Sequence, residues 1–134
     1  MSLLYALVSR ENVVLAEYTS TNGNFPSVTR MVLTKISSQE DHKMSLAYDT
    51  QVFHYIVSSG VTYLVMADAS LRRRMPFTFL NDIKSQFEQS YGDRAQTANA
   101  FAMNEEFAPV LQRRIHHYNN DPNGDLLTKT QNQV

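Results

Sequence analysis

The chain has 134 residues, about one domain's worth, of which 43% are hydrophobic and 19% charged, the balance of a globular domain rather than a disordered one. Twelve basic and thirteen acidic residues leave a formal charge of −1, without the cationic excess of a nucleic-acid or anionic-membrane module. The absence of cysteine excludes disulfide scaffolds, thiolate metal sites and cysteine nucleophiles, and no apolar run approaches the ~18 residues of a membrane span.

The N-terminus lacks the basic region of a signal peptide, so a soluble domain is expected, in keeping with a reducing compartment. Leu3 to Val8 and Val13 to Tyr18 are short apolar runs separated by Ser9-Arg10-Glu11-Asn12, the pattern of a β-hairpin. Both runs are nearly continuous instead of alternating, which predicts strands covered on both faces. Thr21-Asn22-Gly23-Asn24 reads as a turn in which Asn24 caps a helix with Pro26 in its first turn. Phe25, Val28, Val32 and Ile36 recur at helical spacing with Met31 and Leu33 flanking the stripe, and polar Ser37 to Lys43 reads as a loop.

Met44, Leu46 and Tyr48 alternate with Ser45 and Ala47, the mark of a strand with one greasier face. Asp49-Thr50 and Ser58-Ser59-Gly60 are turns around a run from Val52 to Val57, and a further run extends from Val61 to Ala67, so a three-stranded meander is expected. Pro76 then opens a helix along which Phe77, Leu80, Ile83 or Lys84, Phe87 and Tyr91 face the core, and Gly92 ends it. Asp93 to Ala102 reads as an ordered connector. Asn104 is placed as the cap of a last helix with Glu105 and Glu106 in its first turn and Arg113, Arg114, His116 and His117 at its end, a charge order that complements the helix dipole. Pro109 argues for a later start, and Asn119 begins a helix stop. The order ββαβββαα predicts a sheet sandwiched between helices.

Catalytic machinery is not legible. The four glycines are scattered, so no phosphate-binding loop exists, and His42, His54, His116 and His117 show no ligand spacing. His54 reads as a satisfied strand histidine in preference to a base, and Glu105-Glu106 as helix-start charges in preference to a catalytic pair. Arg72-Arg73-Arg74, the one basic run, reads as a solvated loop, with a phosphoinositide or acidic-partner contact as the alternative. Met44 and Leu46 lie on a candidate edge strand. Beside the helix flank carrying Met31 and Ile36 they would form a shallow apolar groove, whereas alternation alone also allows them to be plain core.

Gly92-Asp93-Arg94-Ala95-Gln96-Thr97-Ala98, followed by Phe101-Ala102-Met103-Asn104-Glu105-Glu106-Phe107, closely resembles the longin domain of the vesicle-associated membrane protein seven group, the tetanus-insensitive R-SNAREs. Gly23-Asn24-Phe25, Phe53-His54-Tyr55-Ile56 and Phe79-Leu80-Asn81-Asp82-Ile83-Lys84 carry the same resemblance, which runs from about Leu3 to Tyr118. The loop from Ser37 to Lys43 is one residue longer than the family pattern and Arg72-Arg73-Arg74 is more basic. Thr130-Gln131-Asn132-Gln133-Val134 looks like the first residues of a SNARE motif, which suggests an N-terminal fragment of a longer protein.

The resemblance implies a longin domain over 1–120, then a flexible linker and the start of a truncated SNARE motif over 121–134. It implies an α+β, profilin-like fold: a mixed or antiparallel five-stranded sheet in the order 2-1-5-4-3, with one helix on one face and two on the other. It also implies no catalysis, while the missing cysteines, scattered glycines and unclustered histidines predict a domain without cofactor or metal. The implied role is regulation of vesicle fusion through a groove matching Val28, Met31, Val32, Ile36, Met44, Leu46 and Tyr48. That groove would take the protein's own SNARE motif in cis, as autoinhibition. In trans it would take other SNAREs, clathrin-type adaptor subunits or tethering and sorting proteins. The implied setting is a monomeric domain on the cytoplasmic face of endosomal, vacuolar (lysosomal) or transport-vesicle membranes. The alternatives are a longin-type subunit of an adaptor or GTPase-exchange complex, and a small-molecule sensor.

Overall fold

The structure, a computed structural model, describes residues 2–20, 25–37 and 39–120. The expected turn over 21–24 with its Asn24 cap, the side chains of Phe25 and Pro26, and the expected tail over 121–134 lie outside the described residues. The elements are β1 (Leu3–Arg10), β2 (Val13–Thr19), α1 (Phe25–Leu33), β3 (His42–Tyr48), β4 (Gln51–Ser58), β5 (Val61–Asp68), α2 (Arg74–Tyr91) and α3 (Asn104–Asn120), with a 3₁₀ turn over Gly92–Gln96. The sheet order is β2-β1-β5-β4-β3 and every pairing among the described residues is antiparallel, so the fold is α+β.

Three hairpins close with two-residue loops, pairing Arg10 with Val13, Tyr48 with Gln51 and Ser58 with Val61. The last is a mirror-image turn, with φ of 53° at Ser59 and 79° at Gly60, the backbone twist that matches flanking right-twisted strands.

The continuous apolar runs are explained by helices on both faces. One face of the sheet contributes Ala6, Val8, Tyr63 and Val65 to a core shared with Phe79, Leu80, Ile83 and Phe87 of α2 and with Phe107, Leu111 and Ile115 of α3. The opposite face contributes Tyr5, Leu7, Phe53, Tyr55, Leu64 and Met66, against which Leu33, Val28, Val32 and Ile36 pack.

Several boundaries and roles differ from the sequence reading. β3 begins at His42, so His42 and Lys43 are strand residues and not loop. In α2 the buried row is Met75, Phe79, Ile83, Phe87 and Tyr91, with Pro76 and Leu80 beside it. Phe77 falls off that row, is only part-buried, and rests edge-on against the His54 ring at 5.4 Å. α3 begins at Asn104 and runs through Pro109, whose missing N–H leaves the carbonyl of exposed Glu105, four residues back, to solvent. Asn104 is not a cap: its side-chain carbonyl accepts the Glu17 N–H at 3.0 Å.

The end of α3 is likewise more than a set of dipole partners. Arg114 forms an ion pair with Asp82 of α2 at 2.6 Å, and Tyr118 donates to the same carboxylate oxygen at 3.0 Å. Asn119 continues the helix, accepting the Leu3 N–H at 2.8 Å and donating to the Leu3 carbonyl at 3.0 Å. α3 is thereby tied to α2 and to the start of β1.

Candidate functional site

The two edges of the sheet are finished differently. Along β2, the Phe101 N–H donates to the Val14 carbonyl at 2.7 Å, the Met103 N–H to the Leu15 carbonyl at 3.2 Å, and the Glu17 N–H to Asn104. The connector is held in place from β1, where the Arg10 guanidinium donates to the carbonyls of Ala95 and Ala98 at 2.6 and 2.8 Å. The stretch from Arg94 to Asn104 therefore seals the β2 edge, which removes its unpaired backbone groups as a template for another chain. β3, the opposite edge, pairs only with β4 among the described residues.

Register decides which side chains stand beside the open edge. Met44 lies opposite Tyr55 and Leu46 opposite Phe53, and directly opposed residues share a face. Tyr55 and Phe53 belong to the core under α1, so Met44, Leu46 and Tyr48 also lie on the α1 face. Burial falls off toward the edge. Leu46 is half-buried against that core, while Met44 is 44% and Tyr48 47% exposed. The Tyr55 hydroxyl donates to Met44 Sδ at 3.5 Å, and the Tyr48 ring lies 6.1 Å from that of buried Phe53.

From the helix side, Val28, Val32 and Ile36 are part-buried and Met31 is 65% exposed. Val28, Met31, Val32 and Tyr48 line one cavity of ≈ 120 Å³, whose remaining wall is Lys35. Of the seven residues expected in the groove, four thus share a cavity. Leu46 and Ile36 pack on the same core, and Met44 continues the strand face beyond them. Lys35 lies in the turn just after α1, and its spacing of four residues from Met31 is the signal in the sequence that points to it.

The other face of β3 has a different character. Lys43 lies opposite Ile56 and Ser45 opposite His54, on the α2 side. Ser45 Oγ and His54 Nδ1 share a hydrogen bond at 2.7 Å, and Arg73 Nε donates to the same Ser45 oxygen at 3.2 Å. Burial of the His54 ring, and after it the Arg73 cation, push its pKa down to about 4. Its Nε2 is buried without a hydrogen-bond partner, so His54 is half-satisfied and not fully satisfied as the sequence suggested. The Arg73 guanidinium and the Lys43 ammonium both lie over the Phe77 ring, at 5.5 and 6.0 Å from its centre. The three arginines are exposed, and Arg72 and Arg73 lie in the loop before α2 as the sequence suggested; Arg73 is in addition anchored to the edge strand, and Arg74 is the first residue of α2.

Among the described residues no group of three or more His, Asp or Glu side chains comes together to hold a metal ion. No described helix is long and apolar enough to cross a membrane.

Fold and site together define an α/β/α sandwich domain with one sealed sheet edge and one edge that is open among the described residues, beside a partly exposed apolar shelf. The chain belongs to the longin family: residues 15–111 match the model described as Longin, a regulated-SNARE-like domain. It is similar over its whole length to vesicle-associated membrane protein 7B of Dictyostelium discoideum, at 46% identity and covering 51% of that protein. It is 42% identical to vesicle-associated membrane protein 711 of Arabidopsis thaliana and 40% to vesicle-associated membrane protein 7 of Homo sapiens, covering 61% and 60% of them. The chain therefore spans between half and two thirds of the length of these relatives.

Proposed function

We propose that this longin domain, the span 1–120, is the regulatory, non-catalytic module of an R-SNARE of the vesicle-associated membrane protein 7 type. Its shelf between α1 and β3 holds the protein's own SNARE segment in cis or a competing partner segment in trans. The observation that carries this reading is the exposure of Met31, Met44 and Tyr48 around one open sheet edge. Apolar side chains left out of a core that could have buried them are the mark of a surface that is covered part of the time. An extended or helical segment placed there gains apolar burial from the shelf and main-chain hydrogen bonds from the edge.

Occupancy of the shelf by the cis segment would withhold it from fusion, and a sorting or adaptor protein would compete for the same residues. The domain would act as a monomer on the cytoplasmic face of endosomal, vacuolar or transport-vesicle membranes. The similarity to vesicle-associated membrane proteins supports the setting.

Amide chemical-shift mapping tests the location. Adding a synthetic SNARE segment of the protein should perturb residues 28–36 and 42–48 and leave the sealed β2 edge unmoved. Perturbation centred on α3 or on β2 would place the contact elsewhere.

A further inference from the structure

β3 presents chemically opposite faces on its two sides, and the contrast specifies what kind of strand can pair with it. On the α1 side stand Met44, Leu46 and Tyr48. On the α2 side stand Lys43, Ser45 and Ala47, with the Arg73 guanidinium tied to Ser45 and both cations gathered over Phe77. The cationic stretch is local, because Asp41 precedes β3 and Asp49 follows it. Asp41 is in addition engaged, accepting the Ser59 N–H at 2.9 Å.

A strand added to the outer edge of β3 would place alternate side chains on these two faces. Resting on the proposed role of the shelf, we propose that the β3 edge selects an extended peptide segment of a partner in which apolar residues alternate with acidic ones. The acidic positions would pair with Lys43 and with Arg73 beside Ser45, and the apolar positions would cover Met44 and Leu46. Charge complementarity at a defined register favours this occupant: opposite charges directly across a strand pair stabilise it, and like charges destabilise it.

The cations also have a structural reason to stay where they are. Arg73 is held by both the Phe77 ring and Ser45, and Lys43 lies over the same ring, so an incoming carboxylate meets cations already gathered beside the strand. Their contribution is to choice between segments, and the shelf supplies the apolar affinity.

The test is a titration of the domain with three synthetic peptides of equal length, in which leucine alternates with glutamate, with serine or with lysine. The glutamate peptide should bind at least tenfold more tightly than the lysine peptide at low salt, and the ratio should shrink as salt is raised. Lys43→Glu, on an exposed side chain that leaves the Arg73–Ser45 bond in place, should cancel most of that preference. Lys43→Glu/Arg73→Glu should reverse it. Equal binding of all three peptides, lost on Met31→Ser/Met44→Ser, would overturn the charge selection and leave the shelf standing. Failure of every peptide to bind, with the synthetic SNARE segment still binding, would overturn the strand pairing itself. Failure of the SNARE segment as well would remove the shelf reading and this inference together.

Discussion

The side-chain carbonyl of Asn104 accepts a hydrogen bond from the Glu17 amide across 87 residues of sequence, at 3.0 Å. This one contact fixes the start of α3 against the outer edge of β2, and with the Phe101 and Met103 amides it closes that edge of the sheet. The molecule spends a connector on protecting one edge and leaves the other beside its most exposed apolar side chains. That asymmetry is the structural basis for the proposed binding surface at β3.

Asn104→Ala should therefore destabilise the domain by about 1–2 kcal/mol, the cost of leaving a part-buried donor without its acceptor. Chemical denaturation gives the magnitude. Hydrogen exchange should show the Glu17 amide losing protection while β4 and β5 keep theirs, since local opening at an edge need not unfold the centre of a sheet.

Phe87 is the centre of the larger core. Its ring meets Tyr63 at 5.9 Å, Tyr91 at 4.9 Å and Phe107 at 5.2 Å, joining the sheet to both helices of that face. Phe87→Ala should cost about 3–5 kcal/mol, from lost burial plus the cavity left among rings that cannot collapse together. A loss under about 1 kcal/mol in urea or guanidinium denaturation would contradict the packing described.

His54 makes stability depend on pH. Its folded pKa is held at about 4 against an ordinary 6.5, so between those values the unfolded chain takes up a proton that the folded one refuses. The contribution is complete above pH 6.5 and is lost as the pH falls toward 4. The loss should amount to roughly 2–4 kcal/mol by the linkage of pKa shift to stability. Denaturation curves at intervals from neutral pH down to 4.5 measure it. His54→Leu should flatten the dependence in this window whatever its effect on absolute stability.

Asp82 acts in a lower window. Burial pushes its pKa up, but hydrogen bonds from Gln86, Arg114 and Tyr118 and the Arg114 charge outweigh that and hold it below the usual carboxylate value. Its contribution is present above the ordinary carboxylate pKa and disappears as the carboxylate is protonated below it. Asp82→Asn should remove that acid-side slope and loosen α3 from α2, read as a lower melting temperature at neutral pH and a smaller difference near pH 3. An unchanged acid-side slope would mean that another carboxylate carries it.

Much of the architecture was legible in the residues themselves. The continuous apolar strand runs announced a doubly covered sheet, and the number and order of strands and helices follow periodicity and turn residues, while boundaries shift at β3, α2 and α3. The errors have physical causes. Phe77 and Phe79 lie on different sides of α2, and the row Met75, Phe79, Ile83, Phe87 at strict four-residue spacing was the better guide to the buried face. Asn104 has the chemistry of a helix cap, and only the fold reveals that a strand amide takes its carbonyl instead. Lys43 looked like loop because a sheet edge tolerates charge.

The groove residues were named from resemblance more than from pattern. Alternation along Met44, Leu46 and Tyr48 does not distinguish a covered face from an open one. That distinction depends on which edge the segment from Arg94 to Asn104 seals, a fact carried by hydrogen bonds distant in sequence. Half-buried Leu46 shows the limit of treating the strand as pure surface: Leu46→Ser should cost about 1–2 kcal/mol of stability, whereas Met44→Ser should cost little.

Calorimetric titration of the domain with the proposed cis SNARE segment, comparing wild type with Met31→Ser/Met44→Ser, tests the shelf itself. Both methionines are well exposed, so the variant should keep its melting temperature. If the shelf is the binding surface, losing two apolar anchors of about 1.5–3 kcal/mol each should weaken binding by a hundredfold or more. Unchanged affinity in a folded variant would contradict the account.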